Sequence, residues 1–78
     1  METTIKHSSQ TVKMWTKKET QSTIKALRAA GYNIQKSNDI YKIIDDNGDT
    51  WMKEDKPLFS AMIGMGGYLV KYHEDLIS

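Results

Sequence analysis

The sequence predicts an α+β domain: a capped N-terminal helix packed on a small antiparallel sheet of three or four strands, with a short second helix. Three observations predict it. The stretch TKKETQSTIKALRAAG, residues 16–31, shows a helix start, one inward face and a helix stop. After it, short apolar segments alternate with polar residues at the period of strands. Between those segments lie the turn sequences Ser37-Asn38-Asp39 and Asn47-Gly48. At 78 residues the chain has room for one domain, divided here into a mobile arm over 1–13 and the folded unit over 14–78.

The helix carries its own boundaries. Thr16 is a good N-cap, and Glu19 stands three positions on, the spacing at which hydroxyl and carboxylate each satisfy the other residue's backbone N–H. Thr20, Ile24, Leu27 and Ala30 recur on one face, while Lys18, Gln21, Lys25 and Arg28 occupy the other. Gly31 supplies the left-handed residue that ends a helix, with Tyr32 set against Leu27 as the hydrophobic partner of a Schellman ending. Trp15, just before the cap, is placed to staple back onto the helix.

Tyr32 and Ile34 alternate with Asn33 and Gln35 as a first strand, and Ile40 to Asp45 reads as a second. Asn47-Gly48 predicts a two-residue type I′ hairpin, a turn that needs φ > 0 at both central residues. That register pairs Ile44 with Trp51 and Ile43 with Met52. One face then carries Ile40, Ile44 and Trp51, the other Tyr41, Ile43 and Met52. A sheet covered by one helix needs only one apolar face. Either a second element covers the other face or a partner does. The segment Asp55–Ile63, with Asp55 as N-cap and Pro57 in the first turn, is the expected short helix. Gly64-Met65-Gly66-Gly67 is a flexible connector, Tyr68–Tyr72 a last strand, and the final residues a solvated tail of about one helical turn.

With no cysteine, the fold has neither a disulfide nor a thiolate metal site to hold it. No apolar run approaches the ~20 residues of a membrane span and no hydrophobic signal core opens the chain, so the expected setting is the cytoplasm. Net charge is +1, unevenly spread. Residues 1–36 carry seven basic and two acidic side chains, residues 37–78 four basic and eight acidic. Such polarity offers a basic face to nucleic acid or an acidic face to a protein, unless the two halves neutralise each other in the fold.

Chemistry-bearing patterns are few. Asp45, Asn47, Gly48 and Glu54 fall at positions 3, 5, 6 and 12 of a calcium loop, but position 1 would be Ile43, which cannot coordinate, and the flanks read as strands. The glycine run lacks the lysine and following helix of a phosphate-binding loop. His7 has no partner at ligand spacing, and His73 beside Glu74 and Asp75 has no nucleophile to serve. The sequence therefore predicts no catalytic residue, no metal and no cofactor. Five methionines in so short a chain suit an adaptable binding surface.

The order helix Lys17–Ala30, Gly31-Tyr32, strand, strand, tight turn at Asn47-Gly48, strand and short helix resembles the double-stranded-RNA-binding-like fold of HicA toxins, over residues 17–63. That family's catalytic histidine sits in the strand after the Gly-aromatic pair. Here the strand reads Asn38-Asp39-Ile40-Tyr41-Lys42 without one, so the resemblance implies nucleic-acid binding rather than RNA cleavage. In size, lack of cysteine and one-domain layout the chain also resembles small accessory proteins of bacteriophages, including anti-CRISPR inhibitors and antirepressors. That resemblance implies a non-enzymatic module that inhibits a host protein or complex by occupying its surface. The expected contact residues are Asp45, Asp46, Asp49, Trp51, Met52, Glu54 and Met65. The alternative is a nucleic-acid-binding domain using Lys18, Lys25, Arg28 and Lys36. Neither reading calls for a membrane, and a homodimer is compatible with both.

Overall fold

The computed structural model describes residues 10–77. Residues 1–9 of the expected arm, His7 among them, and residue 78 lie outside the described residues. In chain order the elements are β1 (Gln10–Trp15), α1 (Lys17–Ala29), β2 (Asn33–Ser37), β3 (Ile40–Ile44), β4 (Met52–Lys53), β5 (Lys56–Pro57), β6 (Phe59–Gly64), β7 (Gly67–His73) and α2 (Glu74–Ile77). The fold is α+β. Five strands form one antiparallel sheet in the order β1-β7-β6-β3-β2, and β4 and β5 make a separate two-stranded arm.

The helix follows its local chemistry. Glu19 N–H donates to the Thr16 hydroxyl at 3.1 Å, and Thr16 N–H donates to the Glu19 carboxylate at 2.8 Å, which closes the capping box. That backbone hydrogen bond is the main cause holding the Glu19 carboxyl below its ordinary pKa. At the far end Tyr32 N–H reaches Leu27 O and Gly31 N–H reaches Arg28 O, with Gly31 at φ 104. Both bonds of the Schellman motif are therefore made. Thr20, Ile24 and Leu27 are buried, as their spacing required. They pack against Ile34, Ile43, Phe59, Ala61, Tyr68 and Val70, which share one face of the sheet. Burying Ile24 and Leu27 stabilises the domain by about 1.5–3 kcal/mol each.

Four expectations are corrected. The helix does not come first: β1 precedes it and pairs with β7 over six residues, and Trp15 packs against Tyr72 (centroids 5.3 Å apart) and the core cluster. The strand count is five rather than three or four because β1 joins the sheet and because the segment expected as a short helix is a strand. Phe59 and Ala61 alternate inward against Tyr72 and Val70, and Pro57 sits in the two-residue β5, where a missing N–H interrupts no long ladder. The glycine run is a hairpin turn, not a connector: Gly64 pairs with Gly67, and Gly66 takes φ 75.

The Asn47-Gly48 hairpin is the fourth. Asp45 N–H bonds to Asp49 O, Gly48 N–H to Asp45 O, and Ile44 bridges Thr50, a register one residue off the two-residue turn. Only Gly48 has positive φ (86) in this loop. The cause is the Asp45 carboxylate, which accepts from Asn47 N–H at 2.9 Å and Asp49 N–H at 3.0 Å and so holds a three-residue loop. The turn with positive φ at both central residues occurs instead at Glu54 (53°) and Asp55 (63°), between β4 and β5.

Candidate functional site

Both faces of the sheet can be assigned from register, because paired residues share a face and neighbours in a strand do not. The first face carries Trp15, Ile34, Tyr41, Ile43, Phe59, Ala61, Tyr68, Val70 and Tyr72, and α1 covers it. α2 joins α1 on that side, where Leu76 and Ile77 share a shallow groove of about 310 Å³ with Ala26, Leu27 and Tyr32.

The second face is open along most of its width, with no helix against it among the described residues. Met14, Leu69, Met62 and Ile40 line up across β1, β7, β6 and β3. At the usual strand spacing this apolar row is about 14 Å long. Met14 is 55% and Met62 40% exposed, and Val12 beside them 53%. The Met14 methyl lies over Gly64, near enough to touch a Cβ placed there. Two residues along the strands runs a second row: Val12, Lys71, Ser60, Lys42 and Gln35. Its two lysines stand two strands apart, about 10 Å. Among the described strand residues, no acidic side chain and no Phe, Tyr or Trp belongs to this face. At its far end Gln10 donates to the Pro57 carbonyl at 2.7 Å, and His73, expected in a solvated tail, is fully buried at the end of β7.

The residues expected to meet a partner fall in two places. Asp45, Asp46, Asp49, Trp51, Met52 and Glu54 occupy the loop and arm after β3. Met65, 97% exposed, tips the β6–β7 turn at the opposite end of the sheet, so the fold does not bring it to them. Asp45 is occupied by the backbone of its own loop. Trp51 meets Tyr32 edge-on, centroids 5.8 Å apart, which leaves it 40% exposed. Lys53 and Asp75 form an ion pair that raises the lysine pKa and lowers the carboxyl pKa, the direct hydrogen bond being the main cause of each.

Of the basic set, Lys18, Lys25 and Arg28 share one flank of α1. Arg28 Nη2 donates to Ile34 O at 2.9 Å, and Gln21, between them, donates to the Tyr41 hydroxyl at 3.3 Å. Lys36 lies 5.7 Å from the Tyr41 ring centroid. The hydrogen bond from Gln21 is the main cause depressing the Tyr41 pKa, with Lys36 and Arg28 adding to it. The fold thus fixes Arg28 against β2, which carries Lys36, while Lys18 and Lys25 follow on the same flank of α1. None of the described basic residues of 10–36 makes a salt bridge with a described acidic one.

Sequence reasoning offered Met62 within the Met-Gly stretch 62–67 as an alternative contact surface, and missed Val12, Met14, Ile40, Lys42, Leu69 and Lys71. The signal was present in the apolar residues on both phases of the β3 alternation. No group of three or more His, Asp or Glu side chains placed to hold a metal occurs among the described residues, and no helix among them is long and apolar enough to cross a membrane. Compared with known proteins, the chain matches no family model, no curated protein and no solved structure.

Proposed function

We propose that this chain is a non-enzymatic protein-binding module that blocks a partner by occupying its surface, and that the working surface is the open face of the sheet. The observation that carries the reading is the Met14–Leu69–Met62–Ile40 row, with Met14 and Met62 exposed and Leu69 and Ile40 half-buried, left uncovered because the segment expected to cover it is itself a strand of the sheet. Exposed contiguous apolar surface rimmed by polar residues is the usual mark of a protein contact. Methionine suits it, since the unbranched thioether adapts to a partner's shape.

The composition of the face selects the partner's chemistry. Lys42 and Lys71 without a compensating carboxylate call for an apolar ridge flanked by Asp or Glu. A second copy of the chain fits poorly, because self-pairing would set this basic face against itself. Single-stranded nucleic acid fits poorly too, since readout on an open sheet relies on stacking and the face has no aromatic ring. In the phage-type setting suggested by size and layout, the partner is a host protein.

The test compares retention from a nuclease-treated bacterial lysate by the wild-type chain, by Met14→Asp with Lys71→Glu, and by Asp46→Lys with Asp49→Lys. A stoichiometric protein lost only with the first variant supports the open face. Loss only with the second returns the contact to the acidic loop. Purified chain that sediments as a dimer, and as a monomer after Met62→Lys, would assign the face to a second copy.

A further inference from the structure

We propose that the flank of α1 beside β2 is a second binding surface, which takes the phosphate backbone of a nucleic-acid duplex. Residues 18, 21, 25 and 28 recur at the helical spacings of three, four and seven that keep them on one flank. The Arg28–Ile34 and Gln21–Tyr41 hydrogen bonds fix that flank against the sheet edge, where Lys36 completes the group. Four cations on one side of a chain of net charge +1 make a concentrated field.

Among the described residues the carboxylates are elsewhere. Seven of these nine collect in 45–55 and in α2, Glu19 is tied to the Thr16 backbone, and Asp39 sits in the β2–β3 turn. From Lys18 to Arg28 the helix advances about 15 Å, or four to five base pairs of a duplex at about 3.4 Å per pair. The occupant is a duplex because the flank offers cations without a free ring. Tyr41 lies between Lys36 and Tyr68, whose ring centroid is 6.0 Å away. With no stacking platform on this flank, contact is to phosphates and carries no sequence preference.

The test is fluorescence anisotropy of a labelled 20-base-pair DNA duplex of arbitrary sequence, titrated with the full chain across a range of NaCl concentrations. Four phosphate contacts predict a slope of log K against log[salt] of about −3 to −4. Lys18→Ala with Lys25→Ala, both exposed and outside the core, should flatten that slope by about 2 and weaken binding at least tenfold at low salt. Lys42→Glu with Lys71→Glu, on the opposite face, should leave it unchanged. The proposal is overturned by a slope shallower than −1, by equal losses from both pairs, or by tighter binding of a single strand of the same length. Because the two surfaces lie on opposite sides of the sheet, a loss confined to the Lys18 and Lys25 pair, or a slope shallower than −1, leaves the open-face reading untouched.

Discussion

Gly67 is the position where the backbone leaves least room. A Cβ built there would lie 2.4 Å from the carbonyl oxygen of Trp15, a backbone atom of the neighbouring strand. Ordinary contact begins near 3.4 Å, so Gly67→Ala forces β1 and β7 apart by about 1 Å at the Trp15–Tyr68 end of their ladder. No side-chain rotation can relieve that contact. β1 is an edge strand and can swing outward, which places the cost in the range of overpacking, about 1–3 kcal/mol. For a domain of this size that lowers Tm by roughly 4–24 °C. Gly64→Ala is the internal comparison. Its nearest neighbour, the Met14 methyl at 3.5 Å, is in ordinary contact and at the end of a flexible side chain. Urea unfolding followed by tryptophan fluorescence reads both, since Trp15 reports on the disturbed strand. A Gly67→Ala protein within 0.5 kcal/mol of wild type, or one no less stable than Gly64→Ala, would refute the close approach of β1 to the turn.

Other outcomes follow from the same geometry. Thr16→Ala removes the N-cap and should cost about 1 kcal/mol in urea unfolding. Because the folded-state pKa of Glu19 is depressed, its contribution is fully present above its ordinary value of 4.5 and is lost as pH falls through the lower folded value, so a pH series of Tm should show a smaller acid-side decline for Glu19→Gln than for wild type. Gly31→Val places a β-branched residue at φ 104 and should destabilise by more than 1 kcal/mol, read by thermal circular dichroism. Replacing Glu54-Asp55 by Asn-Gly, which accept positive φ at both positions, should stabilise by about 1 kcal/mol in the same assay; a destabilised variant would count against a two-residue turn there.

What the sequence made legible was local. Thr16 with Glu19, and Gly31 with Tyr32, determine the ends of α1 through bonds no more than five residues apart, and these survive whatever the rest of the chain does. Asn47-Gly48 is just as local, but a second local device competes with it: Asp45, two residues earlier, captures the loop amides and shifts the register by one. The segment 55–63 was ambiguous for a different reason. A short apolar run beside a proline suits a helix start as well as an edge strand, and only the pairing of Phe59 and Ala61 with β7, distant in sequence, decides it. His73 was misplaced for the same reason, since its burial depends on β7 extending one residue past Tyr72. For the site, the cations of α1 were readable because helical spacing gathers them, whereas the open-face row draws on four strands whose order no local pattern contains.

β1 shows why that face is hard to explain as a by-product of folding. Its helix-side residues before Trp15 are Thr11 and Lys13, and its solvent-side residues are Val12 and Met14. A strand that served only the core would carry the reverse, apolar inward and polar outward. Val12 and Met14, each more than half exposed, add little to the core and enlarge an apolar surface that favours self-association. Lys42 and Lys71 beside the row oppose the pairing of two copies while leaving it open to an acidic partner. On a sheet with one face already filled by α1, apolar residues on the other are what the proposed contact draws on.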